Sequence, residues 1–471
     1  MGQTLALHPD RLFASCPEQR AIARELYQSV ASLPIISPHG HTDPNWFAYN
    51  RPFANATELL IQPDHYLLRM LYSQGIALEA LGLSPADGAD METDPAQVWQ
   101  LFGENYHLFR GTPTRLWMDH VLAEVFFIEQ RLDGDSAQDI YTEINKLLAT
   151  PEYLPRTLFE RFNIEVIATT ESPLDPLEAH RKLRDDPWQG RVITAFRPDP
   201  VLDPEYDNFA ANIAELARLS GESCSDYASY LNALRERRAF FKTMGATSTD
   251  HGHPSARTAD LDAVECERLY QGALQGSLTP GQAELFRGQM LLEMALMSLE
   301  DGLVMQIHPG VYRNHNPRLF QRFGRDKGAD IPLPGEFVRN LKPLLDRFGN
   351  DPRLSLILFT LDETTYAREL APLAGHYPAL KLGPPWWFHD SPEGMLRYRQ
   401  QVTETAGFYN TAGFNDDTRA FLSIPARHDV ARRMDCRFLA QLVAEHRIDR
   451  DEAQQLAVDL SYTLARQAYK L

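Results

Sequence analysis

Only four cysteines occur among 471 residues, Cys16, Cys224, Cys266 and Cys436, widely spaced and without a Cys-x-x-Cys pair. Their scarcity excludes a disulfide framework and a zinc ribbon, and predicts free thiols buried in the core. No apolar run approaches the roughly 18 to 20 residues that a membrane span needs. The start, Met1-Gly2-Gln3-Thr4-Leu5-Ala6-Leu7-His8-Pro9-Asp10, lacks the basic and apolar regions of a secretory leader, and Ala6 spoils a myristoylation match. Positive charge is in the minority, 46 Lys and Arg against 64 Asp and Glu for a net charge of -18. A phosphate backbone or an anionic bilayer would therefore be repelled overall, although a few arginines can still hold a small anion. No Gly-x-Gly-x-x-Gly or phosphate-loop run, internal repeat or low-complexity segment is present, which removes support from the nucleotide-binding α/β folds. The expectation is a soluble cytoplasmic protein acting on small molecules, with neither nucleic acid nor membrane as a partner.

What is present is an alternation of short apolar runs with longer segments of helical periodicity, the pattern of β/α units on a parallel sheet. Eight runs qualify as strands: Leu33 to Ser37, Ile164 to Thr169, Val192 to Phe196, Ala246 to Thr249, Leu303 to Ile307, Leu354 to Leu361, Ala379 to Leu382 and Phe408 to Phe414. Nearly every one delivers polar groups at its C-terminal end, where a (β/α)8 barrel keeps its active site. The stretch from about Trp46 to Glu160 reads as helical, with Pro and Gly punctuation, and separates the first strand from the second. The expected organisation is residues 1–45 as the N-terminal segment and first strand, 46–160 as a helical insertion, and 161–471 as the rest of the barrel.

Ser37-Pro38-His39-Gly40-His41 places two imidazoles two residues apart after the first strand, so an extended backbone turns both to one side as a metal pincer. A catalytic metal usually takes three protein ligands and keeps a position open. Asp417, in Asn415-Asp416-Asp417-Thr418-Arg419 after the last run, supplies a third donor, with Arg419 on the same face. Asp416 and Asp417 are also readable as N-caps of a helix beginning at Thr418. His-Gly-His recurs at His251-Gly252-His253 after Asp250, where it is readable as a substrate-contact loop. Trp386-Trp387-Phe388 can be core or the floor of a sugar pocket, whereas Met290, Met294 and Met297, at helical spacing, read as core. Arg427-His428 falls on the helix after the last run, where a solvated or capping role is as consistent as a functional one.

These runs, in order from about residue 25 to the C-terminus, resemble the uronate (glucuronate) isomerases of the amidohydrolase superfamily. The resemblance is carried by His39-Gly40-His41, Asp64-His65-Tyr66, Ile167-Ala168-Thr169-Thr170, Phe196-Arg197-Pro198-Asp199 and Ser248-Thr249-Asp250-His251-Gly252. It continues in Met305-Gln306-Ile307-His308 with Arg313, Trp386-Trp387-Phe388, Asp417-Thr418-Arg419-Ala420-Phe421-Leu422-Ser423 and Arg427-His428. It implies a distorted (β/α)8 TIM barrel of the metal-dependent amidohydrolase type, with the helical insertion after its first strand. It also implies a reaction in carbohydrate metabolism, D-glucuronate to D-fructuronate and D-galacturonate to D-tagaturonate, by proton transfer through a cis-enediol.

By the same likeness His39, His41 and Asp417 hold one divalent ion, zinc by expectation. Asp417, Arg419, Tyr66 and His65 take the catalytic roles, while Arg197, Asp250, His251, His308, Arg313, Trp386 and Trp387 meet the substrate. The expected partners are a uronate and further copies of the chain. The run Trp117-Met118-Asp119-His120-Val121-Leu122-Ala123-Glu124, the segment Leu361-Asp362-Glu363-Thr364 and His308-Pro309-Gly310 depart from the family pattern. An isomerase of another acidic sugar, or a metal-dependent hydrolase on the same barrel, therefore stays open at this stage.

Overall fold

The computed structural model describes residues 4–471, so Met1 to Gln3 of the start discussed above lie outside the described residues. Seven of the apolar runs form strands: β1 (Ile35–Ser37), β2 (Ile164–Glu171), β3 (Arg191–Phe196), β4 (Ser248–His251), β5 (Val304–Ile307), β6 (Leu356–Leu358) and β7 (Leu380–Leu382). They lie in one sheet in chain order, and every pairing from β2 to β7 is parallel. Mainly apolar parallel strands of this kind need cover on both faces, and β1, β5 and β6 are buried along their whole length, as is the polar β4.

The chain divides into two compact units. The first comprises the residues up to Glu165 together with Tyr312–Ile331 and Asp416–Val458. Its scaffold is the helix Pro17–Val30 packed on the helices Ile424–Ala444 and Arg450–Val458. Between residues 46 and 160 it is built from helices, and among the described residues no strand of the sheet falls there. Trp99, Phe102, Tyr106 and Phe109 form a buried aromatic run within that stretch. β1 meets the lip of β2 where the Ile35 N–H donates to the Asn163 carbonyl at 2.8 Å.

The second unit comprises Val166–Val311, Pro332–Asn415 and Asp459–Leu471. Its longest helix, Pro280–Asp301, shows how local sequence sets an element: Pro280 occupies the first turn, and Thr279 and Gln282 close a reciprocal capping box. Met290, Met294 and Met297 on that helix are buried in the core, as their spacing predicts. Cys224, Cys266 and Cys436 are buried free thiols, whereas Cys16 is exposed, against expectation, just before the first helix.

The eighth expected strand, Phe408 to Phe414, is reduced to one parallel bridge between Thr411 and Leu382. The Leu382 N–H donates to the Asn410 carbonyl and the Ala412 N–H to the Leu382 carbonyl, both at 2.8 Å. Gly413 then ends the pairing at φ 74°, and a Cβ there would stand 2.6 Å from the Ala465 backbone nitrogen. The pairing stops because the chain must turn against its own C-terminal helix. The α/β class is as expected, with seven strands and a bridge where eight strands were anticipated.

Candidate active site

Past the end of β1 the backbone carries His39 and His41 to the same side, with ring centroids 5.3 Å apart. Asp417 meets both: its Oδ1 lies 3.6 Å from His39 Nε2 and 3.2 Å from His41 Nε2. The two runs are tied through the main chain as well, since the His41 N–H donates to the Thr418 carbonyl at 2.9 Å. His39 is 1% exposed, while His41 and Asp417 keep 24% and 14% of their side-chain surface. One donor atom from each of the three lies within 4.8 Å of the others, with two imidazoles and a carboxylate converging on one point. That donor set suits a divalent ion bound by nitrogen and oxygen ligands.

Around this triad the first unit gathers four more expected residues. Arg419 donates through Nη2 to Asp326 at 2.8 Å, and Arg313 through Nη1 to Asp330 at 2.9 Å. Burial alone would raise the Asp326 carboxyl, but the Arg419 guanidinium holds it below the usual carboxylate range. His65 and Tyr66 open the helix His65–Ser73 because Asp64 caps it, accepting from the Tyr66 and Leu67 N–H groups. Their rings stack at 4.6 Å. Burial, assisted by the Arg419 charge, pushes the His65 imidazole down to about 3, so it stays neutral near neutral pH. Tyr66 stands edge-on to Trp117 at 5.7 Å, and the Arg427 guanidinium lies 3.6 Å from the centroid of that indole.

The second unit assembles a different group. Asp250 on β4 is fully buried and bridges two side chains: Arg197 Nη1 lies 3.0 Å from Oδ2, and His308 Nδ1 lies 2.7 Å from Oδ1. His308 stacks on Phe359 at 3.8 Å and meets Trp386 edge-on at 4.7 Å. Trp387 turns aside with φ 54° and stacks on Phe388. His251 follows Asp250 and, by strand alternation, faces the other way, where its Nε2 pairs with Thr249 Oγ1 at 3.0 Å.

There His251 joins His253 and Asp199 in a second buried donor group. Burial depresses both imidazoles below the ordinary histidine value. Asp199 is already engaged, accepting from Arg197 Nε at 3.0 Å and from the Gly252 N–H on both oxygens at 3.1 Å. Gly252 permits this close approach, since a Cβ would fall 2.4 Å from Arg197 Nη2 and the guanidinium would have to shift. The two His-Gly-His runs thus differ in setting: the first is partly open beside a carboxylate, the second closed around one.

Of the carboxylates that hold the arginines, Asp250 is among the expected residues and Asp199, Asp326 and Asp330 are not. Asp199 sat two residues from Arg197 and was within reach of a spacing argument. Asp326 and Asp330 lie in a polar loop with no periodic signal.

A parallel α/β sheet with an imidazole, imidazole and carboxylate group past its first strand defines an α/β enzyme with a metal-competent site. The model of one family, described as glucuronate isomerase, matches residues 17–469. The chain is 64% identical over 470 residues to the uronate isomerase of Xanthomonas axonopodis pv. citri, with 100% of each covered. Its structure is similar to the crystal structure of glucuronate isomerase from Caulobacter crescentus, with TM-score 0.98 and 60% identity over 99% of this chain and 98% of that one. The uronate isomerase structure from Thermotoga maritima matches with TM-score 0.91 at 26% identity, covering 98% and 99%. The chain belongs to the glucuronate isomerase family.

Proposed function

We propose that the chain interconverts the aldose and ketose forms of uronates, D-glucuronate with D-fructuronate and D-galacturonate with D-tagaturonate. Family membership over nearly the whole chain supports the isomerase reading and removes the reason to prefer a hydrolase. The observation that carries the site assignment is the convergence of His39, His41 and Asp417 on one point. In this reading these three side chains hold one divalent ion, assigned as zinc on the nitrogen-rich donor set. When bound, such an ion supplies Lewis-acid polarisation of a sugar oxygen.

The remaining chemistry belongs to the chain's own groups. Isomerisation removes a proton from carbon 2, returns one to carbon 1, and moves a hydroxyl proton between the two oxygens, so nothing is oxidised or reduced overall. Asp417 is the assigned proton carrier. The guanidinium of Arg419 stabilises negative charge that develops on the enediol, a fixed cation placed where charge appears. Tyr66 relays a proton to oxygen. His65, held neutral, accepts or donates one hydrogen bond without adding charge. Arg197, Asp250, His251, His308, Arg313, Trp386 and Trp387 are assigned to substrate contact, with an arginine fork suited to both carboxylate oxygens of the uronate. The tie between His41 and Thr418 supports completion of the seven strands and bridge into a distorted (β/α)8 barrel, with residues 46–160 as its insertion. Cytoplasmic location and self-association belong to the same reading.

Purified protein with glucuronate or galacturonate, followed by ketose formation, tests the function. Turnover of at least one uronate is expected. Metal-loaded protein that converts neither contradicts it.

A further inference from the structure

Arg427 and His428 are neighbours in the first turn of the helix Ile424–Ala444, and both are buried, although neither has been given a role above. We propose that this pair is a positioning device that holds Asp417 in its ligating geometry and, through Arg427, orients Tyr66. The inference rests on the metal role assigned to His39, His41 and Asp417.

Asp417 adopts φ 36°, in the left-handed region that side-chain-bearing residues rarely occupy. Such a conformation persists only where its surroundings over-determine it. The helix supplies that constraint. His428 Nε2 lies 3.1 Å from Asp416 Oδ2, and Arg427 Nη1 donates to the Asp416 carbonyl at 3.5 Å. Arg427 Nε donates to Ser423 Oγ at 3.1 Å, Ser423 Oγ donates to the Ala420 carbonyl at 2.8 Å, and the Ala420 N–H donates to Thr418 Oγ1 at 3.0 Å. Asp416, Thr418 and Ala420 are thereby fastened to the start of the helix. The intervening Asp417 and Arg419 are the residues whose side chains reach His39, His41 and Asp326.

Two further observations separate a positional role from simple packing. Asp416 is a buried carboxylate whose Oδ1 has no hydrogen-bond partner among the described residues, so it depends on His428. A buried polar pair of this kind is a poor source of stability compared with an apolar pair of similar volume, and fixing one geometry is the use such pairs serve best. Secondly, Arg427 reaches the helical stretch as well: its guanidinium lies 3.6 Å from the Trp117 centroid and 5.7 Å from that of Tyr66. One helical turn thus references both the carboxylate ligand and the phenol to the same backbone.

The test is the zinc affinity of the full chain, read by competition with a chelator, beside its melting temperature in the metal-free state. His428→Leu strands the Asp416 carboxylate and can fail to fold. The deciding variant is Asp416→Leu/His428→Leu, which removes the pair whole and should restore folding. It is expected to melt close to wild type yet bind zinc on the order of 10–100-fold more weakly, the effect typical of removing support behind a metal ligand. His428→Gln, which keeps an N–H directed at Asp416, should fold and retain affinity close to wild type. A double variant that binds zinc as tightly as wild type, or a folded His428→Gln as weak as a full loss of the pair, overturns the proposal. Wild-type protein whose zinc binding is unaffected by His39→Asn overturns the underlying metal assignment instead.

Discussion

In the proposed mechanism Asp417 would serve two demands that pull in different directions, since a metal ligand benefits from a fixed carboxylate and a proton carrier from an accessible one. Its left-handed backbone and its contacts with His39 and His41 favour the first, and the open share of its surface permits the second. Asp417→Asn removes the ionisable oxygen at nearly constant shape. Ketose formation by that variant should fall by about 10²- to 10⁴-fold, the range that positioned proton transfer contributes. Wild-type kcat would mean another group carries the proton. The convergence of His39, His41 and Asp417 was legible in the sequence because an extended His-x-His turns both rings to one side and a carboxylate follows the last apolar run. Asp326, Asp330 and Asp416 were not. Their meaning comes from partners far along the chain or from burial, and single carboxylates in polar loops carry no spacing that distinguishes them from solvated ones.

Strands were legible wherever a short apolar run ended in polar residues, and each of β1 to β7 overlaps an expected run. Their lengths were not, because hydrogen-bonded register rather than composition decides where pairing stops: Leu354 to Leu361 pairs only over Leu356–Leu358. The Phe408 to Phe414 run failed for a reason visible only in three dimensions, the approach of Gly413 to Ala465. Between β2 and the following helix Glu178–Arg184, His180 is buried with its Nε2 2.9 Å from Thr169 Oγ1. Burial drives its value down to about 4 from 6.5, against the pull of Asp175. The unfolded chain therefore takes up a proton between about pH 6.5 and 4 that the folded chain refuses, and stability falls as pH drops through that window. At the acid end this costs up to about 3 kcal/mol. The urea midpoint of wild type should fall more steeply over that window than that of His180→Gln, which cannot titrate. Parallel pH profiles for the two proteins would contradict the buried neutral imidazole.

Over the whole molecule, a net charge of -18 and a chemistry aimed at an anionic sugar fit together only if cations are concentrated locally. Each of the three arginines assigned above already faces a carboxylate within its own unit: Arg197 meets Asp199 and Asp250, Arg313 meets Asp330, and Arg419 meets Asp326. Those pairs hold the guanidinium planes in place within an acidic chain. None of the described helices is long and apolar enough to cross a membrane. Family membership was legible because many short runs recur in order along the chain, each weak alone and specific as a set. The division into two units was not, since it interleaves three segments on each side. One ion held by His39, His41 and Asp417 is proposed to support uronate isomerisation, and metal content and glucuronate turnover in the same samples test this most directly. Wild type should carry about one ion per chain, lose turnover as chelation removes it, and regain both on adding zinc, while His39→Asn should lack both. Turnover that persists in metal-stripped wild type, or a metal content unchanged in His39→Asn, would contradict the account.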